Sequence, residues 1–332
     1  MAKFKYVLLD RHSVPDADYT VEAKVLEDAG IECVIAECKS DDEVVEIAGD
    51  ADAIGTIYYQ LTPELISRLP NCKLMIRYGV GYDHINVDQA TKQGIMVCNL
   101  PDYCRIDVAT HTIALILDVC RKVTLHDRHL RTAGEWNDIY GYPVHRLEVL
   151  SLGFIGFGRL AQSTAKLAKA FDLKISAYDP FLPAEVFAEN GVKQVELDEI
   201  YANSDIISIH VPLTDDTYHM IDEDSIAKMK DGVMIINTSR GGLISTDALY
   251  DGLKSGKIKA AGLDVLDEEP VNDTEFKLWE FDNVVVTPHT AYYSIESGFE
   301  QHQKVGLTVV DAFIKGVVPY NCVNAKELEK AK

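Results

Sequence analysis

Apolar runs of four or five residues alternate with longer stretches in which apolar positions recur every three or four residues, along almost the whole chain. The runs predict strands over Tyr6–Leu9, Cys33–Ala36, Ala53–Ile57, Leu74–Arg77 and Met96–Asn99. Between them the helical spacing predicts helices such as Thr20–Ala29 and Pro63–Arg68, the second opening on a proline that suits a first helical turn. Val108–Arg121 reads as a long, strongly apolar helix, and Gly134–Tyr142, rich in Gly, Trp and Tyr, as a loop. A second series begins at Val149, with strands expected over Leu152–Ile155, Lys174–Tyr178, Ile206–His210, Met234–Asn237, Ala260–Leu263 and Val284–Thr287. Helices are expected over Ala161–Ala170 and Ser297–Lys315, and the charged tail Ala325–Lys332 is expected to fray. Strands alternating with helices are the α/β signature, and the plain reading is two such units laid end to end.

Composition narrows the partners. The chain has 332 residues with 53 acidic and 32 basic side chains, a formal charge of −21. That excess argues against a nucleic-acid partner or an anionic membrane surface, both of which call for Lys/Arg patches, and describes an acidic, solvated exterior. The seven cysteines form no Cys-x-x-Cys pair, so neither a disulfide framework nor a metal cluster is expected. The N-terminal apolar run is cut short by Asp10 and reads as a strand, not a signal peptide. No stretch reaches the roughly 18 apolar residues of a membrane span. A cytoplasmic protein is expected.

Chemistry enters at Gly153-Phe-Ile-Gly156-Phe-Gly158-Arg-Leu-Ala161, which follows an apolar run and opens a helix. In a G-x-G-x-x-A turn, Gly156 allows the tight bend, Gly158 lets a pyrophosphate approach the backbone, and Ala161 lets the helix pack closely on the sheet. The N–H groups of Arg159 and Leu160 at the helix start supply an anion site. Asp179 ends the next strand about twenty residues on, where a carboxylate accepts hydrogen bonds from an adenosine ribose. An acid there repels a 2′-phosphate, so NAD(H) is expected over NADP(H). Further on, Asn237-Thr-Ser-Arg240-Gly-Gly places an arginine after a strand, suited to bidentate grip of a small carboxylate and equally to a surface loop. Asp264-Val-Leu-Asp-Glu-Glu269-Pro270 and Pro288-His289-Thr-Ala end two more strands. Alone, the acids read as a solvated face and the histidine as structural. Together, an Arg, a Glu and a His on strand-end loops of one dinucleotide-type sheet match what reduction of a carbonyl by hydride demands.

These blocks, with His210-Val-Pro-Leu-Thr between them, occur in the order and at the spacing of the D-isomer-specific 2-hydroxyacid dehydrogenases, which the chain resembles from about Arg77 to Gly316. Within that family it looks closest to the branch containing the C-terminal-binding-protein corepressors, on Arg77-Tyr-Gly-Val-Gly-Tyr-Asp, Pro101-Asp-Tyr-Cys and His289-Thr-Ala-Tyr-Tyr-Ser. The resemblance implies an α/β fold of two Rossmann-like, doubly wound parallel-sheet domains with the active-site cleft between them. It also implies that one domain is inserted in the other: residues 1–101 and 297–332 bind substrate, and residues 102–296 bind NAD. Hinge closure of the cleft would exclude water.

Roles follow from the resemblance residue by residue. His289 would be the general acid and base, Glu269 would orient its ring and stabilise the imidazolium, and Arg240 would hold the substrate carboxylate and polarise the carbonyl. Asp264 and Thr238 would contact the nicotinamide side, with Ser239 a further cofactor neighbour. His210, Val211, Pro212 and Thr217 would cover the adenine and phosphate side. In the first domain, Gly79-Val80-Gly81 either offers backbone N–H groups of Val80 and Gly81 to the substrate or is a simple glycine turn. Tyr103 and Tyr292 match pocket positions of relatives and read equally as packing aromatics; as pocket walls they favour a 2-oxo acid with an apolar or aromatic side chain.

The stretch Ala109-Thr110-His111-Thr112 lacks the Glu that many relatives carry before the His, and the corepressors have Trp where Tyr292 stands. No regulatory domain is expected after the final helix, which sets the chain apart from the long type of phosphoglycerate dehydrogenase. The helix Val108–Arg121 and the segment around Trp136 are expected to form a two-fold interface, giving a homodimer. The functional expectation is a reversible NAD-dependent D-2-hydroxyacid dehydrogenase. The alternatives are an NAD(H)-sensing corepressor or scaffold, or a phosphoglycerate-, hydroxypyruvate- or glyoxylate-type dehydrogenase.

Overall fold

The computed structural model describes residues 3–11, 17–141 and 143–330. The chain forms two compact units, Met1–Cys104 with Ser294–Lys332, and Arg105–Tyr293. The first unit thus changes over at 104/105 and 293/294, extending three residues beyond the bounds 1–101 and 297–332 at each boundary.

In the first unit, β1 (Phe4–Leu8), β2 (Ile31–Ile35), β3 (Ala53–Thr56), β4 (Leu74–Arg77) and β5 (Met96–Cys98) make a parallel sheet in the order β2-β1-β3-β4-β5. β3 and β4 are buried at every position, as strands covered on both faces should be. Their unbroken apolar runs made them readable in the sequence. Val7, Ile54, Met75 and Val97 pack with Leu61, Leu65 and Ile66 into one core. The other face carries a polar cluster. The Tyr78 hydroxyl donates to Glu22 Oε1 at 2.6 Å and lies 2.6 Å from the Tyr6 hydroxyl, and His302 Nδ1 bonds the other Glu22 oxygen. Burial, with the Glu22 charge beside it, pushes the Tyr78 phenol well above its usual range, so it stays a neutral donor just before the Gly79–Gly81 turn.

In the second unit, β6 (Ser151–Ile155), β7 (Lys174–Tyr178), β8 (Lys193–Gln194), β9 (Ile206–Ile209), β10 (Val233–Asn237), β11 (Ile258–Leu263) and β12 (Val284–Val286) make a parallel sheet in the order β12-β11-β10-β9-β6-β7-β8. The chain winds outward in both directions from β6 and β9, so the carboxyl ends of those two strands flank the switch point where doubly wound sheets bind ligands. The helix Arg105–Arg121 buries Val108, Ala109, Thr112, Ile113, Leu115, Ile116, Val119 and Cys120 against the sheet and the helix Arg159–Ala168. Its apolar face therefore packs into the core of its own unit.

Three segments differ from expectation. Val123–Ala133 is a helix with no buried residue, so its sequence carries no core stripe to announce it. The loop after it is described as far as Gly141; Tyr142 lies outside the described residues. The expected frayed tail forms the helix Ala325–Lys330, with Ala331 and Lys332 outside the described residues. The last long helix is regular over Ile295–Val310 and widens into a π-turn to Lys315, ended by Gly316 at φ 66°.

Candidate active site

The glycine turn leaves β6 at the switch point. Gly156 adopts φ 85°, and a Cβ there would stand 2.7 Å from the His210 carbonyl oxygen and 2.9 Å from Val211 Cγ1. Only glycine fits, because the turn presses against the chain leaving β9. Asp179 ties the turn down: its Oδ2 accepts the Phe157 N–H at 2.9 Å and its Oδ1 the Phe181 N–H at 3.0 Å. Above Gly158 there is open space, with nothing within 4 Å of an ideal Cβ. The helix Arg159–Ala168 starts there with no side chain capping it, so its first N–H groups, those of Arg159 and Leu160, face an uncovered cradle. This cradle fits a dinucleotide pyrophosphate.

The strand-end loop after β9 is neutral where it meets the turn. Burial pushes the His210 imidazole down to about 4, and Ser208 Oγ pairs with its Nε2 at 2.8 Å. Val211 is half-buried and Pro212 exposed. The Thr217 hydroxyl donates to the Pro212 carbonyl at 2.7 Å and accepts from the Thr214 N–H at 2.8 Å, so it shapes this loop.

The three chemically active side chains come from the neighbouring loops. After β10, the buried Asn237 folds the chain back, its Oδ1 accepting the Ser239 N–H and its Nδ2 donating to the Arg240 carbonyl. Ser239 Oγ donates to the Ile209 carbonyl, locking this loop onto β9. Thr238 Oγ1 lies 2.9 Å from Thr112 Oγ1; because Thr112 already donates to the Val108 carbonyl, Thr238 donates to Thr112. Arg240 is half-buried.

After β11, Glu269 bridges two groups. Its Oε1 accepts the Leu266 N–H at 2.8 Å and its Oε2 sits 2.7 Å from His289 Nδ1. Burial pushes this carboxyl up, but the hydrogen bond and charge of His289, the Leu266 N–H and the Arg240 charge outweigh it and hold Glu269 below the usual range. Glu269 is therefore anionic at neutral pH and accepts the Nδ1–H, which leaves His289 Nε2 for proton exchange. His289 has φ 54°, and its N–H donates to the Asp264 carbonyl at 2.8 Å. Tyr292 stands edge-on to it, ring centroids 6.5 Å apart.

Asp264 is 1% exposed, and its carboxylate accepts from Thr287 Oγ1 at 2.6 Å and from the N–H groups of Thr290 and Ala291, each at 2.9 Å. It fastens the loop that carries His289. His111 completes the set. Its Nε2 is 2.9 Å from Thr287 Oγ1, and because that hydroxyl donates to Asp264, His111 Nε2 carries the proton. Neither His111, Thr287 nor Asn237 was singled out as a site residue, although the departure at Ala109-Thr110-His111-Thr112 drew notice to the first.

The remaining candidates lie in the first unit. The turn after β4 has its carbonyls engaged: Tyr78 O by Arg77 Nη1 and Gln301 Nε2, Gly79 O by the Leu100 N–H, and Val80 O by Asn99 Nδ2 at 2.6 Å. Tyr103 is buried at 6% exposure.

A family model described as D-isomer specific 2-hydroxyacid dehydrogenase, NAD binding domain, matches residues 113–291. A hydroxypyruvate reductase of Blautia hydrogenotrophica is 35% identical over 328 residues, covering 96% of this chain and 99% of the relative. The chain belongs to the D-isomer specific 2-hydroxyacid dehydrogenase family. Two solved structures agree. The D-lactate dehydrogenase of Aquifex aeolicus, complexed with NAD and lactic acid, has a TM-score of 0.80 at 33% identity, covering 94% of this chain and 96% of that one. A glyoxylate reductase from Paecilomyes thermophila has a TM-score of 0.87 at 29% identity, covering 98% and 100%. As a member of this family the protein is an NAD-dependent oxidoreductase acting on a CH–OH group. Among the described residues, no helix is long and apolar enough to cross a membrane, and no group of three or more His, Cys, Asp or Glu is placed to hold a metal ion.

Proposed function

We propose that the enzyme interconverts a small 2-oxo acid and its D-2-hydroxy acid, with Arg240, Glu269 and His289 as the catalytic residues. The pairing of Glu269 with His289 Nδ1 at 2.7 Å, inside the field of Arg240, is the observation that carries this. NADH supplies a hydride when bound, and NAD+ takes one in the reverse direction. Arg240 grips the substrate carboxylate and polarises the carbonyl as negative charge grows on its oxygen. His289 Nε2 delivers the proton to that oxygen, and Glu269 stabilises the imidazolium that precedes delivery. The N–H groups of Val80 and Gly81 are a second carboxylate-binding element. Gly156, Gly158, Arg159 and Leu160 hold the pyrophosphate; Asp179 takes the adenosine ribose and disfavours NADP(H). His210, Val211 and Pro212 line the adenine side, and Thr238 the nicotinamide side. Thr217, Ser239 and Asp264 act by positioning, since their side chains are committed to the protein itself.

Tyr292 beside His289 supports an uncharged, apolar or aromatic substrate side chain. Similarity to a hydroxypyruvate reductase and a glyoxylate reductase favours a second reading, hydroxypyruvate or glyoxylate. Following NADH consumption with pyruvate, branched and phenyl 2-oxo acids, hydroxypyruvate and glyoxylate separates the two. Oxidation of NADH with none of them would end the proposal. A homodimer is part of the reading, supported by the exposed Val123, Leu130, Trp136 and Ile139, as is a cytoplasmic setting, supported by the seven cysteines, none of which is in a disulfide.

A further inference from the structure

Two cysteines far apart in sequence are brought face to face along the edge of the first sheet. The segment around Cys322 runs antiparallel to β5 and forms the bridge Cys98↔Cys322. The flanking hydrogen bonds run from the Asn99 N–H to the Asn321 carbonyl at 3.3 Å and from the Val323 N–H to the Val97 carbonyl at 2.8 Å. They lie to either side of the cysteines rather than between them. That is the non-hydrogen-bonded class of antiparallel pair, whose Cα atoms approach to about 4.5 Å. A disulfide spans Cα separations of about 4.4–6.8 Å. The bridge therefore sets the two side chains on the same face of the pair, opposite one another. Asn324 fixes the register, its Oδ1 accepting the Val97 N–H at 2.9 Å and its Nδ2 donating to Thr91 Oγ1 at 2.8 Å and to the Ile95 carbonyl at 2.9 Å.

We propose that Cys98 and Cys322 are a redox-active pair that closes to a disulfide under hydroperoxide and reopens under a dithiol. The half-buried Cys322 is the attacking sulfur and the fully buried Cys98 the resolving one. The Cys98 side chain lowers the Cys322 thiol, against its burial and with the help of the Asn324 and Val97 backbone, and the Cys322 S–H donates to Asn324 Oδ1 at 3.3 Å. The Cys322 side chain, together with burial, keeps the Cys98 thiol protonated. The Cys322 thiolate attacks one oxygen of hydrogen peroxide; the O–O bond breaks, and the departing hydroxide takes a solvent proton to leave as water. The Cys98 sulfur then attacks the sulfenic sulfur of Cys322. The S–O bond breaks, hydroxide leaves with the Cys98 proton as a second water, and the S–S bond forms. Two thiols thus give two electrons to one peroxide. The new bond would join the two chain segments that build the first unit, closing a loop that contains the whole second unit.

The test treats the full chain with hydrogen peroxide, unfolds it in an alkylating reagent and maps the peptides by mass spectrometry. The expected result is the loss of two of the seven alkylatable thiols, a peptide pair linked through Cys98 and Cys322, and recovery of both thiols with dithiothreitol. Cys322→Ser, a change at a half-exposed position, should leave Cys98 alkylated after peroxide, whereas Cys33→Ser should leave the link intact. Alkyl groups on both Cys98 and Cys322 after peroxide, or a link between other cysteines, overturns the proposal. Neither result depends on the reading of the active site.

Discussion

His289 holds a backbone conformation that non-glycine residues rarely adopt, and four contacts keep it there. Its N–H is bound to the Asp264 carbonyl, its Nδ1 to Glu269, and the two residues after it to the Asp264 carboxylate. A ring so held suits the proton transfer proposed for it. Replacing His289 with Gln should lower kcat by about 10²–10⁴-fold, the usual worth of a general acid, with the melting temperature little changed; steady-state kinetics and a thermal melt check both halves. Arg240→Lys keeps the charge and loses the planar fork, and should raise KM for the oxo acid more than KM for NADH. The pH dependence of Glu269 has a definite sign. Its folded value lies below the unfolded one of about 4.3, so the stability it contributes is complete above the unfolded value and is lost as pH falls through the folded one. The difference in melting temperature between wild type and Glu269→Gln should be steady near neutrality and shrink at the acid end of a titration. A difference that grew on acidification would contradict this assignment.

At the scale of elements, the glycine turn and the loops after β9 to β12 were visible as motifs, but their internal wiring was not. Gly156 and Gly158 were expected to do different work, one at the tight bend and one at an open approach, and their surroundings in the structure differ accordingly. Gly156→Ala drives a Cβ into the His210 carbonyl at a positive φ and should destabilise the fold as well as weaken NADH binding. Gly158→Ala meets open space and should melt as wild type does, while losing NADH affinity, because the added carbon occupies the pyrophosphate cradle. Paired melts and NADH titrations distinguish the two. Asp264, expected on the nicotinamide side, is also a buried anchor of the loop that carries His289. Its donors come from Thr287, Thr290 and Ala291, and a carboxylate's hydrogen-bond partners cannot be read from spacing. Thr287→Val removes both the bond to Asp264 and the acceptor for His111, and should cost about 1–3 kcal/mol in a denaturant titration while lowering kcat through the His289 loop. The helix Val123–Ala133 escaped prediction for a related reason: it buries nothing, so no periodic apolar stripe marks it.

For the whole molecule, a net charge of −21 must coexist with the binding of an anionic cofactor, which on the proposed reading falls to Arg240 and to the uncapped start of the helix Arg159–Ala168. NADH should accordingly raise the melting temperature, by the equivalent of about 2.7 kcal/mol at a hundredfold excess over Kd, and an isolated phosphate should do little. Sedimentation should report twice the mass of one chain, and Trp136→Ser, removing a ring that is 87% exposed, should shift it toward one. An unchanged dimer in that variant would move the interface elsewhere.

The order of apolar and polar residues was enough to determine the strands of both sheets except the edge strand β8, whose Lys193 and Gln194 are exposed and carry no apolar run. It also placed the arginine, glutamate and histidine at strand ends, where a parallel sheet presents its ligand-binding edge. Tertiary structure decided what depends on partners distant along the chain: the buried apolar face of the helix Arg105–Arg121, the relay from His111 through Thr287 to Asp264, and the meeting of Cys98 with Cys322. Each of those is a contact between segments that share no local pattern. Hydrophobic periodicity specifies which face of an element is buried; only the packed chain specifies what that face is buried against.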